Sequence, residues 1–241
     1  MEVNGMFGAD HFIFYDHQIG ERLSPFIHSY EQEDKLTVLQ WKMPIETTQG
    51  PTNEIHYFGQ VVAINDCMYR ARLNSRFVVF LDLDEVIVPM QHTNWLDLMS
   101  KLSNGQPDTQ TFIFPNVFFR EEWAVDPTYS KVPLVNKLQL RTLLYTKREH
   151  KTWPHRMRSK YISPANALES VGIHFPWKSV NKVSEKSVSE KDATLFHYRN
   201  WEDFSPSSYI NQTRMFQFAD TILQRISNRL ERAKAFGFKE I

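Results

Sequence analysis

Five consecutive apolar residues, Phe77-Val78-Val79-Phe80-Leu81, run directly into Asp82-Leu83-Asp84-Glu85. Continuous apolarity over so short a stretch predicts a strand covered on both faces. In α/β folds the carboxyl end of such a strand opens on the crevice where ligands bind. Residues two apart on an extended backbone share a face, so Asp82 and Asp84 are expected to point together at one hard divalent cation. A cation held by a couple of carboxylates keeps open positions for substrate phosphate oxygens. Glu85 adds another negative charge, and three acids in four residues repel one another unless a cation neutralises them. A solvated acidic turn is the simpler alternative; the apolar run abutting the acids weighs against it.

The rest of the chain alternates strand and helix signals. His11 to Tyr15 and Leu36 to Trp41 read as strands flanking a helix from Glu21 to Tyr30. A polar loop follows through Thr47, Gly50 and Pro51, and then Glu54 to Leu73 carries a helical stripe of Phe58, Val62, Ile64, Tyr69 and Leu73. Asn94, with Asp97 three residues on, can cap a helix to about Leu102. Thr111 to Phe119 reads as one strand bent at Pro115, Val180 to Asp192 as a mobile surface loop, and Thr194 to Tyr198 as a late strand. Met215, Ala219, Ile222, Ile226, Leu230 and Ala233 define an amphipathic helix near the end. The segment from Glu121 to Trp153 gives no clear pattern. With no repeat and no interior linker, residues 1–241 are expected to form one α/β domain, a mixed sheet flanked by helices.

Composition narrows the partners. Lysines and arginines number 28 and so do aspartates and glutamates, so no general attraction to nucleic acid or to an acidic membrane surface is expected. No apolar run approaches the ~20 residues a membrane span requires. Cys67 is the one cysteine, which excludes an internal disulfide and an all-cysteine metal site. Asn211-Gln212-Thr213 is a glycosylation sequon and hints weakly at a lumenal chain.

An Asp-X-Asp pair after an apolar strand has two familiar uses. In haloacid-dehalogenase-like phosphatases the first Asp attacks phosphorus, and Val79 to Ile87 fits that motif well. That family places the motif near the chain start and needs a later acidic pair after a strand; Glu202-Asp203 lacks that setting. In GT-A glycosyltransferases the motif lies mid-domain and holds a metal-diphosphate, which suits its position here. Read together, Gly8-Ala-Asp-His-Phe-Ile-Phe-Tyr-Asp16, Tyr30, Trp41, Gln60 to Arg70 and Phe80 to Glu85 resemble the core of glycosyltransferase family 92. Lys160-Tyr-Ile-Ser-Pro164, Gly172-Ile-His174 and Leu195-Phe-His-Tyr-Arg199 are similar to its later blocks.

The resemblance implies a GT-A fold and an inverting transfer of a hexose, galactose in known members, from a uridine-diphosphate sugar to a glycan acceptor. It implies that Asp82 and Asp84 hold manganese and the diphosphate, and that His197 supplies a further metal ligand. It gives Asp66 and Arg70 a place near the donor, although their i, i+4 spacing equally suits a simple ion pair on one helical face. Inversion also needs a carboxylate to take the acceptor proton, and Glu121 and Glu122 are candidates by placement. His174 is open between acceptor contact, metal contact and packing. The basic cluster Lys147, Arg148, His150, Lys151, Arg156 and Arg158 is read as a solvated face, with diphosphate or acidic-glycan contact as the alternative, the tryptophans mainly as core with sugar stacking as the alternative, and Cys67 as buried or disulfide-bonded in a longer protein. A third reading, a non-catalytic sugar-nucleotide-binding relative, stays open. Family members are anchored in Golgi membranes and face the lumen, so an anchor is expected only in a longer form. The fold's first strand would precede the block that opens this chain, so an open sheet edge is expected there.

Overall fold

The structure is a computed structural model that describes residues 1–42, 55–180, 183–200 and 208–239. The expected polar loop at Thr47 to Pro51 and the Glu202-Asp203 pair lie outside the described residues. Helix α1 (Glu2–Phe7), strand β1 (Phe12–Asp16), helix α2 (Ser24–Glu31) and strand β2 (Leu36–Gln40) open the chain. β1 and β2 pair in parallel, Phe12 opposite Leu36 through Asp16 opposite Gln40, with α2 as the crossover that parallel pairing demands.

Helix α3 spans Gln60–Ala71 and begins six residues later than its apolar stripe predicts, after a 3-10 turn over His56–Gly59. Its orientation also differs from the expected one. Val62, Tyr69 and Leu73 are exposed, whereas Ala63, Met68 and Ala71 are buried. The side chain of Asn65 explains the rotation: its Nδ2 donates to Val171 O at 2.9 Å and its Oδ1 accepts from Val171 N at 3.0 Å. These bonds fix which flank of α3 meets the sheet.

Strands β3 (Phe77–Val79) and β4 (Glu85–Pro89) follow, then helix α4 (Trp95–Leu102), capped as expected by Asn94, whose Oδ1 accepts from Asp97 N at 2.8 Å. Next come β5 (Gln110–Phe114) and β6 (Asn116–Phe119). The one bent strand expected here is two strands in two different sheets. Pro115 has no N–H to continue a ladder, and the chain changes sheets at it. The stretch without a clear pattern folds as three short helices, α5 (Pro127–Ser130), α6 (Pro133–Leu138) and α7 (Arg141–Leu144), and then β7 (Lys147–Arg148).

The remaining elements are β8 (Lys160–Pro164), β9 (Leu168–Val171), β10 (Pro176–Ser179), β11 (Ser184–Ser187), β12 (Ala193–Tyr198), β13 (Ile210–Asn211) and helix α8 (Ala219–Lys234). The surface loop expected over Val180 to Asp192 contains β11, which pairs in parallel with β5 from Ser184 opposite Gln110. Its own side chains carry no apolar signal, and the pairing is set by backbone bonds at a sheet edge.

Two mixed sheets organise the molecule. One has the order β11-β5-β8-β3 and the other β13-β7-β6-β12-β4, with helices packed around them, a mixed α/β architecture consistent with a GT-A-like fold. Among the described residues, β1 pairs only with β2 and β3 only with β8. The larger core joins β4, β6 and β12 to α4 and α8 through Ile87, Leu98, Phe119, Phe196 and Ile222, and a second core lies under α3 around Met68, Phe80 and Tyr161.

Candidate active site at the junction of the two sheets

The chain crosses from β3 in one sheet to β4 in the other through Asp82-Leu83-Asp84-Glu85. This segment is a turn closed by Glu85 N donating to Asp82 O at 3.1 Å, so the extended backbone expected for Asp82 and Asp84 is absent. Leu83 projects into solvent at the tip. The two aspartates have different partners. Asp82 accepts from Gln60 Nε2 at 3.0 Å and from Lys160 Nζ at 3.0 Å. Asp84 turns the other way, its Oδ2 lying 3.4 Å from Nε2 of His197.

The charge that neutralises the acidic turn is internal. Lys160 opens β8, its side chain is 2% exposed, and its Nζ lies 3.3 Å from Oε2 of Glu85 as well as touching Asp82. Glu85 is itself buried; burial pushes its carboxyl above the usual range while Lys160 pulls against that rise. Its Oε2 accepts from Asp82 N at 2.9 Å, and its Oε1 stands 3.3 Å from Nδ1 of His197.

His197 occupies β12, a fully buried strand between β6 and β4, directly opposite Glu85 and beside Phe118. Its ring lies 4.8 Å from the Phe118 ring, and Asn116 Nδ2 approaches Nδ1 at 3.4 Å. Nε2 is buried, and Asp84 Oδ2 at 3.4 Å is the group that faces it. Burial opposes ionisation of Asp84, but His197 and the charge of Arg199 outweigh it and hold its carboxyl below the usual range.

Other candidates fall around this centre. β6 and β12 run parallel, with Phe119 opposite Tyr198, so Glu121 and Glu122 lie past the same end of the sheet as the acidic turn. Glu121 N donates to Asn200 Oδ1 at 2.8 Å, and its carboxylate pairs with Arg141 at 2.7 Å. Glu122 lies 3.7 Å from Arg120, which is buried against Glu149 at 2.7 Å. His174 Nδ1 donates to Ser159 O, 3.2 Å away; burial and the Lys160 charge lower its pKa. Asp66 and Arg70 form the helical ion pair at 2.6 Å, and Tyr15 OH also donates to Asp66 at 2.6 Å. On the same helix it is Gln60, not these two, that contacts Asp82. Cys67 is half-buried, and burial pushes its thiol up to about 11.

Part of the basic cluster faces inward. Arg158 stacks 4.7 Å from the Trp153 ring, and Arg199 is close enough to act on both Arg158 and Asp84. The solvated-face expectation holds better for Arg156, which pairs with Glu185. Lys160, Gln60, Asn116 and Arg199 have no site role in the sequence reading. For Lys160 a signal existed: a lysine leading an otherwise apolar strand demands a buried partner.

Among the described residues, no three His, Cys, Asp or Glu side chains stand grouped as a metal cage. The donor set still suits a divalent cation in one respect. His197 Nε2, buried, and Asp84 Oδ2 lie 3.4 Å apart, and an imidazole nitrogen and a carboxylate oxygen are both atom types that ligate divalent cations.

The sequence profile of glycosyltransferase family 92 matches residues 1–233. Two similar proteins are the Caenorhabditis elegans glycosyltransferase family 92 proteins F13G3.3 and C33H5.2. The first is 24% identical over 206 residues, covering 82% of this chain and 38% of the relative. The second is 25% identical over 235 residues, covering 86% and 43%. The chain thus spans about two fifths of the length of these curated relatives. A match over nearly the whole chain places this protein in glycosyltransferase family 92.

Proposed function

We propose that this glycosyltransferase moves a hexose, galactose by resemblance to known family members, from a uridine-diphosphate sugar to a glycan acceptor with inversion at the transferred carbon. The observation that carries this reading is the convergence of Asp84 and His197 Nε2 at the strand ends, beside Arg199, in a family 92 chain. Manganese or another divalent cation would be held by Asp84 and His197, and by Asp82 once its carboxylate leaves Lys160. Such an ion, when bound, offsets the charge that grows on the departing diphosphate.

The remaining roles belong to the protein's own groups. Arg158, Arg199 and Lys160 set positive charge around the carboxylates, where a diphosphate would otherwise be repelled. Glu122 suits the general base better than Glu121, because Arg141 occupies the Glu121 carboxylate. The acceptor oxygen bonds to the sugar carbon as the carbon–phosphate-oxygen bond breaks, and the acceptor proton passes to the glutamate. Asp66 and Arg70, tied to each other and to Tyr15, fit a role in holding α3 against β1 rather than direct donor contact.

The setting proposed is the Golgi lumen, consistent with the exposed sequon at Asn211. Among the described residues no helix is long and apolar enough to cross a membrane. The test is thermal stability with manganese and uridine diphosphate, singly and together. A joint rise larger than either alone is expected, followed by sugar transfer from uridine-diphosphate galactose to a glycan. No response to the pair, with magnesium-dependent phosphate release from a simple ester, would replace this reading with the phosphatase one.

A further inference from the structure

Asn211-Gln212-Thr213 is the one Asn-X-Ser/Thr triplet in the 241 residues, and the candidate site makes no use of it. It lies at the corner where β13 ends and a 3-10 turn over Arg214–Phe218 begins. Exposure alternates along this corner: Tyr209, Asn211 and Thr213 are exposed, whereas Ile210 and Gln212 are half-buried. Residues two apart on an extended chain share a face, so Tyr209 and Asn211 are expected on one side. The pairing agrees. Asn211 is the direct antiparallel partner of Lys147, so these two side chains also share a face. Lys147 Nζ lies 4.9 Å from the centroid of the Tyr209 ring, which puts Tyr209 on that same side. Trp123 braces the ring at a centroid distance of 5.5 Å, and Tyr209 stays 43% exposed.

We propose that Asn211 carries an N-linked glycan whose first sugar is seated on the Tyr209 ring. The inference rests on the proposed lumenal setting, where the donor, a lipid-diphosphate-linked oligosaccharide, is met. In that transfer Asn211 Nδ2 bonds to the anomeric carbon as the bond from that carbon to the diphosphate oxygen breaks. The diphosphate leaves with the electron pair, and the amide proton passes to a base of the transferring enzyme. Among the described residues neither the Asn211 nor the Thr213 side chain makes a hydrogen bond, so a glycan displaces no native contact. The C–H face of a pyranose is apolar, and a braced, exposed aromatic ring two residues before the attachment point is a surface it can cover. β13 is also the outer strand of its sheet, and a bare outer strand is a template for pairing with another chain. A bulky hydrophilic group at Asn211 covers that edge.

The test expresses the chain behind a secretory leader in eukaryotic cells that make high-mannose glycans, as the parent, Asn211→Gln, Tyr209→Ser and the double variant Tyr209→Ser/Asn211→Gln. Mass spectrometry of the Asn211 peptide, on secreted and cell-retained protein alike, reads the modification whether or not a variant folds well enough to leave the cell. A glycan is expected on the parent and on Tyr209→Ser. An endoglycosidase then trims it to the first sugar. The trimmed parent should melt about 2–4 °C above Asn211→Gln, and this gap should vanish in the Tyr209→Ser background. A parent unmodified in both fractions overturns the proposal. A glycan with no gap, or with the same gap in both backgrounds, overturns the seat on Tyr209. The leader supplies the lumen, so neither outcome depends on where the natural protein resides. Protease protection of the natural protein in intact Golgi vesicles tests that setting separately.

Discussion

Arg120 Nε lies 2.7 Å from Glu149 Oε1, and both side chains are almost wholly withdrawn from solvent, at 1% and 8% exposure. The pair joins the residue that follows β6 to the residue that follows β7, immediately behind Glu121 and Glu122. Arg120→Met or Glu149→Gln alone leaves one buried charge without its partner and is expected to cost about 3 kcal/mol or more. The double variant Arg120→Met/Glu149→Leu removes both and should recover most of that loss. Urea denaturation of the four proteins checks this. Equal stability of parent and single variants would show the pair to be energetically idle.

Asp84→Asn and Asp82→Asn should each abolish manganese-supported binding of uridine diphosphate while leaving the fold intact. The two are not equivalent in the metal-free protein. Asp82→Asn also takes a partner from Lys160 and Gln60, so a modest loss of thermal stability is expected for it alone. His197→Ala should weaken manganese binding more than His174→Ala, because His174 is turned to Ser159 O and sits beside the Lys160 charge. Equal effects of the two histidine variants would return His197 to a packing role.

Asp66 links β1 to α3 by accepting from Tyr15 OH and from Arg70. The Arg70 hydrogen bond, opposed by partial burial and helped by Tyr15, holds its carboxyl below the ordinary value of 3.8. A depressed carboxyl adds stability that is fully present above its unfolded pKa and is lost as pH falls through the folded one. Asp66→Asn should therefore lower Tm at neutral pH, with the gap to the parent closing as the pH is taken below 3.8. A gap that is constant across that range would mean the ionised form adds nothing.

Gly172 lies against the Trp177 indole, and a Cβ there would run into the ring. Gly172→Ala is expected to cost about 1–3 kcal/mol, the usual range for an overpacked contact. Trp177 is 58% exposed, so its removal is cheap, and Gly172→Ala/Trp177→Leu should regain most of the loss. If the double variant is no more stable than Gly172→Ala, the backbone rather than the indole demands glycine.

What the residues announced in advance depended on whether their burial was written in apolar runs. Leu195 to Tyr198 and the cap at Asn94 are legible because apolar patterning and capping chemistry are local properties. Asp82 and Asp84 stood out for the same reason, as polar residues ending such a run, whereas His197 drew its ligand role from the family resemblance. Glu85 was legible only as one more charge of the acidic motif and Lys160 only as a lysine leading a mostly apolar strand, because their meeting is a tertiary event. The extended geometry assigned to the acidic turn failed because a chain moving between sheets must bend, and the bend fell on the motif itself. β11 was invisible, since a strand such as Ser184-Glu-Lys-Ser187 owes its existence to the neighbour it pairs with.

The crossings at Asp82–Glu85 and at Pro115 have a kinetic consequence. Lys160 and Asp82 are 78 residues apart in the chain, Asn116 and His197 81, and Glu121 and Asn200 79. Each contact closes a large loop, and such closures are entropically costly until the rest of the topology has formed. Lys160 stands in one sheet and Glu85 and His197 in the other, so an intermediate with one sheet formed would lack part of the candidate site. Binding at the candidate site should appear last during refolding, after the recovery of helical signal, making its occupancy a proofreading signal for completed assembly.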